Sequence, residues 1–192
     1  MIEQRVPNRV ERQNDRPWGL YDPEREHSCC GVGFITRKDG QQTHEVLKKG
    51  HEALCAVPHR GGMSSEGVGD GAGISIDLSA PLFSRLTGQT LERGRFGVGN
   101  FFMPEKLEHH GRAIALVEDS LAKAGMAVLL RREVPVDRKA IEPRGVKLQL
   151  PIVQWVFAAP DTLHGSDLDQ KVYDVLLDIE AVAYTEEDLA GL

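Results

Sequence analysis

Polar and apolar positions change period several times along this chain, and each change predicts an element. The run from Gly31 to Arg37, Gly-Val-Gly-Phe-Ile-Thr-Arg, is rich in β-branched and aromatic residues, and Lys38-Asp39-Gly40 follows it with turn chemistry. A strand ending in a turn is expected there. Thr43 is placed to cap a helix whose apolar positions, Val46, Leu47, Ala53, Leu54 and Val57, recur at about one turn and its multiples until Pro58 ends it. Ile74, Ile76 and Leu78 alternate with Ser75 and Asp77, which predicts a strand with one buried face. Pro81 to Leu86 suits a short helix. Phe96 to Met103 and Ala127 to Arg132 read as strands, with helical spacing from Leu107 to Ala124 between them. Leu148 to Ala158 reads as another strand. Ser166 is placed to cap a last helix with Leu168, Val172, Val175, Leu176, Ile179 and Ala183 on one face and acids on the other. Helices and strands in mixed order, without an internal repeat, give the α+β class.

Two stretches lack a period. Met1 to Arg25 is charged and contains prolines, so a leader covering 1–29 is expected to precede a folded domain over 30–192. His59 to Gly73 is dense in glycine and holds His59, Arg60 and Asp70, a loop built to wrap something closely. His44 and His51 are expected on solvated helix surface, with no acidic or cysteine partner at helical spacing. Cys55, among apolar neighbours, is expected to be a small buried hydrophobe.

Composition narrows the partners. With 192 residues, 41% of them hydrophobic, the chain can bury one ordinary core. A net charge of -6 and an isoelectric point near 5.7 argue against nucleic acid or an anionic membrane surface, both of which reward a basic face. No apolar run approaches the roughly 18 residues of a membrane span, and the first thirty residues lack the apolar stretch of a secretory signal. Three cysteines, Cys29, Cys30 and Cys55, form no regular disulfide framework, which fits a reducing, cytoplasmic setting. Structural zinc on Cys29, Cys30, Cys55 and His59 is disfavoured, because adjacent cysteines do not chelate as pairs spaced by two to four residues do. No metal is expected.

The chemistry centres on Cys30, at the head of Cys-Gly-Val-Gly-Phe, where the leader gives way to an apolar run. Were the leader removed, one residue would carry both a thiol, with a reference pKa of about 8.5, and an α-amine at about 7.7 to 8.0. The amine could take the thiol proton and later return it to a leaving amine. By spacing alone an inert buried cysteine is the commoner outcome, since Cys-Gly-x-Gly occurs by chance.

The motifs His27-Ser28-Cys29-Cys30-Gly31-Val32-Gly33-Phe34, His59-Arg60-Gly61-Gly62 and Gly69-Asp70-Gly71-Ala72-Gly73-Ile74, in this order and separation, resemble the amino-terminal glutaminase domain of glutamate synthase large subunits, which are class II glutamine amidotransferases. Gly19-Leu20-Tyr21-Asp22-Pro23, Val134-Pro135-Val136-Asp137 and Pro151-Ile152-Val153-Gln154 extend the resemblance through most of the chain. It implies an amino-terminal nucleophile hydrolase-like αββα sandwich, autocatalytic removal of the leader, and attack by Cys30 on the glutamine side-chain amide. Glutamate and ammonia would form through a γ-glutamyl thioester, and the ammonia would aminate 2-oxoglutarate. His59, Arg60, Gly61, Asp70 and Gly71 are implied as support for the nucleophile and substrate loop, Arg60 through its planar fork and Asp70 as a loop stabiliser. No cofactor is implied in this chain. FMN and an iron-sulfur cluster are implied elsewhere in the full enzyme, and the partners implied are glutamine and the remaining domains or subunits.

Departures from the pattern set further expectations. Cys29 stands where a small residue such as alanine usually precedes the nucleophile, and Gly62 where alanine is common. The later Asn-Gly element for the oxyanion and the arginine for the substrate carboxylate have no match before Leu192, and Phe96-Gly97-Val98-Gly99-Asn100 does not replace them. The domain is therefore expected to be incomplete at its C-terminus, with about a hundredfold or more of rate missing for want of an oxyanion donor. Three readings follow: the front part of an active glutaminase, a non-catalytic binding or regulatory relative, and an unrelated domain.

Overall fold

The computed structural model describes residues 32–56, 71–141, 143–189 and 192. The chain divides between Ile74 and Ser75 into two compact units. Helices and an antiparallel sheet occur together, as the α+β class requires.

In the first unit, the turn predicted at Lys38-Asp39-Gly40 forms, closed by a bond from the Gly40 N–H to the Arg37 carbonyl at 3.1 Å. The strand predicted before it does not. Val32 to Arg37 adopt no regular element, and Val32 and Phe34 are 97% and 92% exposed. Helix α1, His44–Cys55, starts after Thr43 as its pattern predicts, although the Thr43 hydroxyl makes no cap bond, and it stops before Pro58. Val46, Gly50 and Leu54 form its half-buried stripe, with Ile74 lying over Gly50.

The second unit begins with a departure of the same kind. Ile76 and Leu78 do not form a strand with Ile74, and both they and the polar residues between them are exposed. Alternation describes two faces, but a strand also needs a neighbour for its backbone N–H and C=O groups. Neither run has one among the described residues. Helix α2, Ala80–Thr87, follows, with Ser79 Oγ accepting from the Leu82 N–H at 3.4 Å and Pro81 in its first turn.

Three strands, β1 (Phe96–Phe102), β2 (Ala127–Glu133) and β3 (Ile152–Ala158), form a sheet in the order β1-β3-β2. Both outer strands run antiparallel to β3, so they are parallel to each other and are joined through helix α3, His110–Lys123. A 3-10 turn at Leu107–His109 precedes α3, so the helix predicted from Leu107 is regular only from His110. The strand predicted from Leu148 is shorter than expected as well. Pro143 opens a short helix, α4 (Pro143–Leu148), and Pro151, which has no N–H to give a ladder, stands immediately before β3.

One face of the sheet presents Val153, Trp155 and Phe157 to Ala113, Val117 and Leu121 of α3 and to Leu168, Val175 and Ile179 of helix α5, Gly165–Thr185. On the other face Val156 and Phe96 pack with Phe83 of α2, the two rings 5.7 Å apart. Ser166 does not cap α5. His164 is the cap residue, and its carbonyl accepts from Asp167 and Leu168. The start is set by Arg95, whose guanidinium donates to the carbonyls of Leu163 at 2.7 Å and Pro160 at 3.0 Å and to the Asp161 carboxylate at 3.0 Å. Gly165 then enters the helix at φ +52, open to glycine without strain. Among the described residues no helix is long and apolar enough to cross a membrane.

The sheet yields a paired prediction. A Cβ on Gly97 would sit 2.3 Å from the Phe157 ring, whereas one on Gly111 of α3 would meet nothing within 4 Å among the described residues. Gly97→Ala is expected to destabilise the second unit by about 1–3 kcal/mol through overpacking. Gly111→Ala should leave it unchanged or stabilise it by up to about 1 kcal/mol. Chemical denaturation of both variants checks the difference, and equal midpoints would contradict the packing.

Candidate functional site

Of the residues that the sequence assigns to the site, Cys30, His59, Arg60, Gly61 and Asp70 lie outside the described residues, as does Cys29. What is described are the segments beside them, all in the first unit. Val32 to Arg37 continues from Cys30, α1 ends at Cys55 four residues before His59, and Gly71 to Ile74 continues from Asp70. Gly71 is the described member of the set. It has φ +90, so a side chain there would be opposed by backbone strain, and among the described residues a Cβ would meet nothing within 4 Å.

The turn after the Cys30 segment is electrostatically tied. Arg37 grips Asp39 with both arms of its fork, Nε to Oδ1 at 2.9 Å and a terminal nitrogen to Oδ2 at 2.5 Å, and Asp39 Oδ1 also accepts from the Gln41 N–H at 3.1 Å. The Arg37 guanidinium, and secondarily the Gln41 N–H, hold the Asp39 carboxyl below its ordinary range; the Asp39 carboxylate in turn raises Arg37. On α1, Lys49 bonds to Glu45 one turn earlier at 3.1 Å and lowers that carboxyl in the same way.

Two expectations about α1 are corrected. Cys55 is exposed rather than buried, because it points away from the Val46-Gly50-Leu54 stripe. His51 does have a cysteine at helical spacing: Cys55 is four residues on, with its Sγ 3.9 Å from both ring nitrogens. His44 is on exposed surface, as expected.

The later motif segments meet at one end of the sheet in the second unit. Pro151 accepts from the Met103 N–H at 2.8 Å where β1 ends, and Ile152 accepts from the Val134 N–H at 2.9 Å where β2 ends. Asp137, last of the Val-Pro-Val-Asp motif, caps the following 3-10 turn by accepting from the Lys139 N–H at 3.0 Å. Beside them, Gln154 is buried, and its amide is spanned by neighbours: Arg132 Nε donates to its Oε1 at 2.8 Å, and its Nε2 donates to Asn100 Oδ1 at 2.9 Å. Sequence reasoning set Asn100 aside as an oxyanion element and did not find this row. Cross-strand register would have revealed it, since Asn100 and Arg132 both stand opposite Gln154. Among the described residues no group of three or more His, Cys, Asp or Glu is placed to hold a metal ion.

Residues 30–189 match the sequence model of the family described as glutamine amidotransferases class-II. The chain is 32% identical over 179 residues to glutamate synthase (NADPH) large chain of Bacillus subtilis, a match that covers 91% of the chain and 12% of that relative. It is 37% identical over 128 residues to glutamate synthase (NADH) of Saccharomyces cerevisiae, covering 62% of the chain and 6% of the relative. Ferredoxin-dependent glutamate synthase 2 of Synechocystis is 31% identical over 163 residues, covering 82% of the chain and 10% of the relative. The chain thus spans about an eighth or less of the length of these curated relatives.

The Arg37–Asp39 grip predicts a pH dependence with a definite sign. A carboxyl held low in the folded turn contributes stability above its ordinary value of 3.8, and that contribution is lost as the pH falls through the lowered value. An NMR titration should place the Asp39 midpoint below that ordinary value, and Arg37→Gln should move it back up. No movement on that substitution would show that the fork does not hold the carboxylate.

Proposed function

The chain belongs to the class II glutamine amidotransferases, and on that premise we propose that it is the glutaminase portion of a glutamate synthase, with Cys30 as the nucleophile. The observation that carries this reading is that the family match begins at residue 30, the cysteine that opens Cys-Gly-Val-Gly-Phe. A domain whose first residue is its nucleophile has its base built in. The α-amine freed by removal of residues 1–29 accepts the thiol proton, the thiolate attacks the side-chain carbonyl carbon of glutamine, and the amine returns the proton to the departing ammonia. Water then cleaves the γ-glutamyl thioester to glutamate and regenerates the thiol.

The supporting roles rest on the ordered motifs. Arg60 orders the nucleophile loop through several hydrogen bonds from one planar fork, with His59 and Gly61 as its neighbours in the motif, and Asp70 and Gly71 hold the second glycine loop. The positive φ of Gly71 supports that last assignment, because a turn in the left-handed region favours glycine. The fold proposed for residues 30–192 is an amino-terminal nucleophile αββα sandwich, to which the three-stranded antiparallel sheet and its flanking helices are suited.

Relatives named for NADPH, NADH and ferredoxin match this chain at 32%, 37% and 31% identity, so the matched part does not track the electron donor. That agrees with a segment that releases ammonia and leaves reduction to others. The ammonia would be consumed in aminating 2-oxoglutarate at a flavin site, and FMN and an iron-sulfur cluster would belong to those other parts of the protein.

The test is labelling with a glutamine analogue that carries an electrophile in place of the amide. The adduct is expected on Cys30, on a chain whose first residue is Cys30. Cys30→Ser should lower ammonia release about a thousandfold or more, as loss of a nucleophile usually does. An adduct on Cys29 or Cys55 instead, or turnover undiminished by the substitution, would overturn the assignment.

A further inference from the structure

Helix α5 is apolar on two faces. Leu168, Val175 and Ile179 are buried against α3 and the sheet. Tyr173, Leu177, Ala181 and Tyr184, spaced by four, four and three residues, fall together on the opposite side of the helix. Tyr173, Leu177 and Tyr184 are 54%, 43% and 91% exposed. A helix with apolar residues all round is ordinarily enclosed, yet this second face is open. Charge is concentrated beside it. Between Gly165 and Leu189 stand eight acidic residues and one basic residue, Lys171, a larger excess than the net -6 of the whole chain. Asp169 and Glu180 run along one margin of the apolar stripe, Asp174 and Asp178 along the other. Arg112 takes up Glu186 and Asp188, and Gln170 donates to Asp174, whereas Asp169, Asp178 and Glu180 have no cation beside them among the described residues.

We propose that the outer face of α5 is a docking surface for a basic amphipathic helix of a separate polypeptide, its apolar side chains on the stripe and its Lys or Arg over the two acidic margins. Helix-on-helix recognition uses anchors three or four residues apart, which is the spacing this stripe repeats. Charge decides between occupants. A second copy of this chain would set acidic margins against acidic margins, and an anionic membrane surface would meet the same repulsion. A cationic helix is attracted by both rows, and their opposite placement about the stripe fixes its register. The surface uses residues of the second unit alone and does not depend on the role of Cys30.

The probe is a fluorescent synthetic peptide about five helical turns long, with leucine at i, i+3, i+4 and i+7 and lysine elsewhere, titrated with the 192-residue chain and followed by anisotropy. Saturable binding that weakens with added salt is expected, and no binding by a counterpart with glutamate in place of lysine. Leu177→Ser with Tyr184→Ser should weaken it about tenfold or more, because a few apolar anchors carry most of such an interface. Asp178→Asn should weaken it about threefold, whereas Glu92→Gln, at an exposed acid before β1, should leave it unchanged. Four results would each overturn the proposal: no binding of the lysine peptide, equal binding of the glutamate peptide, affinity indifferent to Leu177→Ser with Tyr184→Ser, or an equal loss in Glu92→Gln. A dimer of the chain in sedimentation that Leu177→Ser with Tyr184→Ser dissociates would assign the face to a second copy and overturn it as well. Circular dichroism of each variant confirms that helix content is retained.

Discussion

Five consecutive residues of β3, Val153 to Phe157, are buried, and the second unit is arranged around enclosing them. A strand shut away from water on both faces must pair along both edges, because its backbone N–H and C=O groups have no solvent to turn to. β1 and β2 supply those edges, each antiparallel to β3. α3 and α5 cover one face, and α2 covers Val156 on the other. The polar residue within the run, Gln154, survives there because Arg132 and Asn100 complete its amide. Leaving such a group unpaired costs about 1–3 kcal/mol, enough to offset the burial of a neighbouring aliphatic side chain.

Packing around that strand is tight where the sequence is smallest. The Phe157 ring lies against the backbone of β1 at Gly97, and Phe101 meets the Trp155 ring edge-on with centroids 5.5 Å apart. The Trp155 indole N–H donates to Glu118 at 3.3 Å, and Arg131 holds the same carboxylate at 2.6 Å, so a charge on α3 serves both the core and the sheet edge. At the other end of α3, Arg112 bonds to Glu186 and to Asp188 beside the fully buried Leu189. Exposed ion pairs contribute about 0–1 kcal/mol, whereas burying a leucine contributes about 1.5–3. Leu189 therefore does more than the clasp beside it to dock that segment.

The first unit is organised differently. Among its described residues α1 has none fully buried, and the turn before it, Arg37 to Gln41, is held by local polar contacts such as the Arg37 fork. The family motifs follow that division: those with candidate chemistry fall in the first unit, and those ending the strands of the sheet fall in the second.

The sequence by itself determined α2, α3, α5, β1 and β2, because each buries one side of a regular period and periodicity reports a buried side. It also determined the family, since the motifs around Cys30, His59 and Asp70 stand in an order that is readable without coordinates. It did not determine pairing. The insertion of β3 between two strands that precede it, and the row joining Gln154 to partners 22 and 54 residues away, depend on register, which no local pattern encodes. The same reason explains why Val32 to Arg37 and Ile74 to Leu78 alternate or carry strand-forming residues without being strands: a ladder is a property of two segments, and the tertiary structure decides which segments meet.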